Sequence, residues 1–224
     1  MPTTSIFTDI DAILFDLDGT LIDSTPVTSR AWAAWGVEMG IGRTDFHDHG
    51  VPARQVIQGV IDSGDLDASR YQEAFDRINF LEETDTDGVS RLPGAVELLA
   101  SLPAGRFTIV TSCTDALAAA RLGAVGWTAP PLMVTADMVT TGKPSPEGYL
   151  LGAKRLGFDP ARCLVVEDAP AGLAAGRAAG ARTLALTGTY SAHELDADLV
   201  LDSLEGVLAL PTTAAEPLTL VRTF

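Results

Sequence analysis

The feature that most constrains this chain is a series of short apolar runs, each closing on or just ahead of a hydroxyl, glycine or acidic residue. Residues 12–15 run into Asp16, 107–110 into Thr111-Ser112, 131–134 into Thr135, and 163–166 into Glu167-Asp168. Residues 182–186 run into Thr187-Gly188, and 197–200 lie just ahead of Asp202. Runs this short, without polar alternation and bounded by turn formers, predict strands buried on both faces. Between them lie Ala/Leu/Gly-rich stretches of helical length at 95–102, 115–122, 147–156 and 171–179. Strands alternating with helices build βαβ units, so the expected fold class is α/β with a mostly parallel, Rossmann-like sheet. Ligands of such sheets bind at the carboxyl ends of the strands, where several of these runs place Asp, Glu, Thr or Ser.

The segment 24–91 breaks this rhythm. It holds Trp32, Trp35, His47 and His49, and its residues 28–39, 53–61 and 69–82 have the spacing of amphipathic helices. It reads as a helical insertion after the first strand, with Leu92-Pro93-Gly94 marking the return and Pro93 suited to a helix start. The expected division is therefore a core of residues 1–23 and 92–224 and an inserted helical domain of residues 24–91. Trp32 and Trp35, three apart, are expected to pack inside that insert. The tail after Leu210 reads as a loosely held terminus. Gly172, Gly176 and Gly180 share one helix face in a segment too short for a membrane dimer and carrying Arg177. They suit close packing on a sheet, with Gly180 as the residue beyond the helix end.

Composition excludes several partner classes. The 224 residues are 46% hydrophobic and 20% charged, the balance of a globular protein, and the net charge is −15. So acidic a surface repels phosphate backbones, so no nucleic acid partner is expected. No apolar run reaches the roughly 18 residues a spanning helix needs, so no membrane partner is expected. The start of the chain lacks a basic region, and the only cysteines are Cys113 and Cys163. These point to a cytoplasmic location, and a monomer or weak dimer is expected.

Asp16-Leu17-Asp18-Gly19-Thr20 follows the first predicted strand directly. Positions 16 and 18 share strand parity, so their carboxylates are expected close together, a pairing that a hard divalent cation such as Mg²⁺ relieves. A calcium loop fails, because the positions that would need Gly and Glu hold Leu21 and Val27. A second strand end carries Glu167-Asp168, a third Thr111-Ser112, and Lys143 sits in Thr141-Gly142-Lys143-Pro144. Carboxylates at two strand ends can hold a metal, a lysine can neutralise an anionic substrate, and hydroxyls at a strand-to-helix turn suit phosphate oxygens. Neither a G-x-S-x-G elbow nor a glycine-rich nucleotide loop occurs.

In this order the motifs resemble those of the haloacid dehalogenase-like (HAD) hydrolases. Residues 16–24 look like the family's first motif, Thr111 with Ser112 its second, Lys143 its third and Glu167-Asp168 its fourth, and the insert is similar to a C1-type cap. Residues 142–153 and 167–172, with His49-Gly50, are most similar to the subgroup hydrolysing small sugar and polyol phosphates, which includes glycerol-3-phosphate and 2-deoxyglucose-6-phosphate phosphatases. The resemblance implies that Asp16 attacks phosphorus and that Asp18 protonates the leaving oxygen and then activates water. It also implies that Asp16, the Asp18 carbonyl and Asp168 hold Mg²⁺, with Glu167 assisting, while Thr111, Ser112 and Lys143 bind the phosphoryl group. His49 and Arg54, in the loop 45–54, are expected to reach the leaving group. The rivals are a phosphomutase of the β-phosphoglucomutase type and a non-catalytic binding domain of the same fold. Those mutases resemble this chain but carry a histidine after the first motif, where this sequence has Thr28.

Overall fold

The computed structural model describes residues 2–42, 51–210 and 216–223. In chain order its elements begin with strands β1 (Thr3–Ile10), β2 (Ala12–Phe15) and β3 (Ile22–Asp23), followed by helices α1 (Thr25–Met39), α2 (Ala53–Asp62) and α3 (Tyr71–Thr84). Then come β4 (Ser90–Arg91), α4 (Ala95–Ser101), β5 (Phe107–Ile109), α5 (Asp115–Ala124), α6 (Glu147–Leu156), β6 (Cys163–Glu167) and α7 (Pro170–Ala178). The chain ends with β7 (Arg182–Leu186), β8 (Leu199–Leu201), β9 (Val207–Ala209) and β10 (Leu218–Thr223).

Five of the strands form a parallel sheet in the order β5-β2-β6-β7-β8. The unbroken apolar runs are explained by burial on both faces. Ile13 and Phe15 of β2, with Leu164 and Val166 of β6, join one hydrophobic cluster with α4 and α5. Their neighbours Ala12, Leu14, Cys163 and Val165 join the other, under α6 and α7. Gly176 of α7 shows why that helix face is small: a Cβ there would stand 3.0 Å from Val165.

Two readings of the sequence need correction. The run at 131–134 makes no strand; Val134 forms a single bridge with Val110, and Pro130 and Pro131 precede it. A proline lacks the N–H a ladder needs. The C-terminus is not loose throughout. β10 lies between β1 and β9 in a second, antiparallel sheet, and its Leu218 and Leu220 are buried in the main core with Phe7 of β1.

Helices α1–α3 carry their own core of Trp35, Met39, Ile57, Val60, Ala74 and Ile78, separate from the clusters around the sheet. Trp35 is fully buried there and donates its indole N–H to the Ala74 carbonyl at 2.8 Å. The chain enters and leaves this helical unit through the antiparallel pair β3–β4, where Ile22 faces Arg91 and Asp23 faces Ser90. Among the described residues, no helix is long and apolar enough to cross a membrane.

Candidate active site

Parallel pairing brings the carboxyl ends of β5, β2 and β6 side by side, and the residues just beyond them form one cluster. Asp16 follows β2, its N–H bonded to the Val166 carbonyl of β6 at 2.9 Å. Glu167 ends β6, Asp168 follows it, and Thr111 lies just past β5. Asp16, Thr111, Glu167 and Asp168 are all buried, and so is Lys143, which arrives from the segment ahead of α6. Carboxylate oxygens of Asp16, Glu167 and Asp168 lie within 4.8 Å of one another.

Lys143 is the cation of this cluster. Its ammonium donates to Asp16 and, at 2.6 Å, to Glu167. Glu167 also accepts the Tyr149 hydroxyl at 2.8 Å and the backbone N–H groups of Asp168 and Ala169 at 3.0 and 3.1 Å. Asp168 accepts from the Thr189 hydroxyl. Three buried carboxylates share this lysine, and the imbalance shows in their affinity for protons. Burial, opposed by Lys143 and reinforced by Glu167, pushes Asp16 well above the ordinary carboxylate range. Burial and the Glu167 charge push Asp168 up to about 7. Burial works against the Lys143 ammonium, but the Asp16 and Glu167 charges outweigh it and hold that group well above the usual lysine value. An all-oxygen set with excess negative charge fits a hard divalent cation.

Two glycines are dictated by these contacts. Gly19 turns the chain after Asp18 at φ +83°, and a Cβ there would lie 2.0 Å from an Asp168 oxygen. A Cβ on Gly172 would fall 1.7 Å from a Glu167 oxygen.

The Asp18 carboxylate, expected beside that of Asp16, is turned to other partners. It pairs with the Arg121 guanidinium at 2.8 Å and accepts the Cys113 thiol at 3.0 Å. Burial and the Asp18 charge push the Cys113 thiol well above its ordinary value, so it stays protonated as a donor. The Thr111 hydroxyl accepts the Cys113 N–H at 3.1 Å.

A cavity of about 250 Å³ opens above the cluster, between the strand ends and the helical unit. Asp16, Asp18, Thr111 and Ser112 line its floor, and Trp32, Arg54, Phe75 and Asn79 its far wall. Trp32 therefore both packs in the insert and faces the cavity. Arg54 is exposed on the first turn of α2, its guanidinium 4.9 Å from the centre of the Phe75 ring. His49 lies outside the described residues. Four contributors were not singled out from the sequence: Tyr149, Thr189, Glu82 and Arg121. Glu82 had a signal, because Ala74, Ile78 and Glu82 repeat at four-residue spacing on the buried face of α3. Arg121 had one too, as the lone cation on the buried side of an Ala/Leu helix. Thr189 had none.

Residues 10–180 match the family described as haloacid dehalogenase-like hydrolase. The chain is 43% identical over 199 residues to hexitol phosphatase A of Escherichia coli (strain K12), covering 87% of this chain and 91% of that protein. It is 32% identical to 2-deoxyglucose-6-phosphate phosphatase 1 of Saccharomyces cerevisiae (strain ATCC 204508 / S288c), covering 80% of this chain and 81% of that one. Among solved structures, a hydrolase from Pseudomonas syringae superposes with a TM-score of 0.79 at 27% identity, over 86% of this chain and 94% of that one.

Proposed function

The chain belongs to the haloacid dehalogenase-like hydrolases, and from that premise we propose that it is a phosphatase of small sugar or polyol phosphates with Asp16 as its nucleophile. The observation that carries this reading is the placement of Asp16: a buried carboxylate, held by Lys143, on the floor of a cavity wide enough for a small metabolite. Hexitol phosphatase A, at 43% identity, supports the substrate class.

An Asp16 oxygen attacks phosphorus while the bond to the leaving alcohol breaks, and Asp18 gives its proton to the departing oxygen. Water then attacks the aspartyl-phosphate. Asp18 takes the water proton, inorganic phosphate leaves and Asp16 is restored. Lys143 and Thr111, with Ser112 beside it, bind the phosphoryl oxygens, and the turn into α5 offers them backbone N–H groups. Asp16, Asp168 and the Asp18 carbonyl would hold Mg²⁺, with Glu167 beside them. Bound there, the ion offsets the repulsion between a carboxylate and a phosphate and stabilises charge in the transition state. Residues 24–91 act as a cap over the core of 1–23 and 92–224, and Arg54 with His49 meets the leaving group.

A panel of phosphorylated sugars and polyols assayed for phosphate release, with Mg²⁺ and with EDTA, tests this. Hexitol monophosphates are expected among the best substrates, with turnover abolished by the chelator. Failure to release phosphate from any of them would overturn the reading. The mutase alternative is separated by β-glucose 1-phosphate with a trace of the 1,6-bisphosphate. A phosphatase liberates inorganic phosphate, whereas glucose 6-phosphate accumulating faster than phosphate would favour the mutase.

A further inference from the structure

We propose that Arg121 is a positioning residue that holds the Asp18 carboxylate in place and ties it to the helices of the insert. The inference rests on the reading of Asp18 as the proton carrier.

Arg121 sits on the buried face of α5 with Leu117, Ala118 and Leu122, and its side chain is 5% exposed. A guanidinium buried among apolar side chains costs several kcal/mol unless it is paired, and even a paired one adds little net stability over an apolar residue of similar size. Stability alone therefore does not account for an arginine here. Its contacts converge from separate parts of the chain. One terminal nitrogen meets Asp18 at 2.8 Å and the Cys113 sulfur at 3.2 Å. The other donates to Glu82 of α3 and to the Thr28 hydroxyl of α1, both at 2.9 Å. The Cys113 thiol donates to the second Asp18 oxygen at 3.0 Å, so the carboxylate is held by an ion pair on one oxygen and a hydrogen bond on the other.

The planar guanidinium fixes direction as well as charge. With one edge on Asp18 and the other on Glu82 and Thr28, it makes the orientation of the proton carrier depend on where α1 and α3 lie. Glu82 is 7% exposed on its side chain, and burial pushes its carboxyl up against the pull of Arg121. Without the arginine, Glu82 has no counter-charge among the described residues, and Asp18 keeps only the Cys113 thiol and loses its tie to α1 and α3.

The test uses kcat/KM, which reports only the steps up to departure of the leaving alcohol. A hexitol phosphate needs its leaving oxygen protonated; p-nitrophenyl phosphate, with its far better leaving group, needs this little. The ratio of the two kcat/KM values therefore reads proton donation by Asp18. Asp18→Asn is expected to lower the ratio by about 100-fold or more, within the range of general acid catalysis. Arg121→Met is expected to lower it by about 10-fold or more, and Arg121→Lys by less. Because Arg121→Met strands Glu82, the double variant Arg121→Met/Glu82→Met is measured beside it. Removing the second charge should restore the thermal midpoint while the ratio stays low. An unchanged ratio in Asp18→Asn overturns the acid reading and this proposal with it. A ratio that falls in Asp18→Asn but not in the Arg121 variants, or that recovers in the double variant together with stability, overturns the proposal and leaves the acid reading standing.

Discussion

Replacing Lys143 with methionine tests the electrostatic bookkeeping of the site directly. The ammonium lies between Asp16 and Glu167, with 6% of its side chain exposed against 8% and 1% for the carboxylates. Glu167 would keep the Tyr149 hydroxyl and two backbone donors. Asp16 would keep none, because Lys143 is the only side chain that hydrogen-bonds it among the described residues. Breaking a buried ion pair by removing one member costs about 3–5 kcal/mol. In a chain of this length each kcal/mol moves the unfolding midpoint by about 2–4 °C, so a fall of roughly 6–20 °C is expected. Protonation of the stranded carboxyls relieves the cost, so the fall should be larger at pH 8 than at pH 5. Circular dichroism melts in EDTA read the stability term without a bound cation, and added Mg²⁺ should recover part of it. Phosphate release in Mg²⁺ reads the catalytic term, where loss of one transition-state donor lowers kcat by about 10²–10³. An unchanged midpoint in EDTA at pH 8 would refute the claim that Lys143 compensates the buried cluster.

Asp16→Asn removes one of the crowded negative charges while keeping the shape of the side chain. It should abolish phosphate release and, in EDTA, raise the unfolding midpoint, since Lys143 then faces fewer buried carboxylates. The second pH-dependent effect concerns Asp168, whose folded value is raised from 3.8 to about 7. The folded chain therefore binds more protons than the unfolded one across that window, and in EDTA stability should fall as pH rises from about 4 to 7. Mg²⁺ should consequently raise the midpoint more at pH 8 than at pH 5, as differential scanning fluorimetry would show. Arg54→Ala should lower kcat/KM for a hexitol phosphate several-fold and for p-nitrophenyl phosphate much less, because Arg54 lines the wall opposite Asp16. Equal losses on both substrates would remove it from leaving-group recognition.

How far the sequence could be read depended on whether burial left a pattern. β2 and β6 are buried on both faces, so their runs carry no polar residue and stand out even at four and five residues. The ends of such strands meet in space because parallel pairing aligns them, and Asp16, Thr111 and Glu167-Asp168 were visible for that reason. β1 hides because its register with β10 shifts twice, between Ser5 and Phe7 and between Phe7 and Ile10, and each irregularity breaks the alternation that marks a half-buried strand. The Asp18 carboxylate was misplaced for a different reason. Strand parity holds only while the strand continues, and β2 ends at Phe15. Past that point, partners rather than pleat decide where a side chain turns. The partners here are the Cys113 thiol and Arg121 on α5. Arg121 pairs in turn with Glu82 on α3, and these two charges each stood in the sequence on an otherwise apolar helix face. Two opposite charges on the buried faces of two separate helices have a low-cost solution if the faces meet, since neither can stay buried alone. Here the faces do meet, α3 of the insert against α5 of the core. Glu82 and Arg121 lie 2.9 Å apart, and that pairing is what lets both charges stay buried.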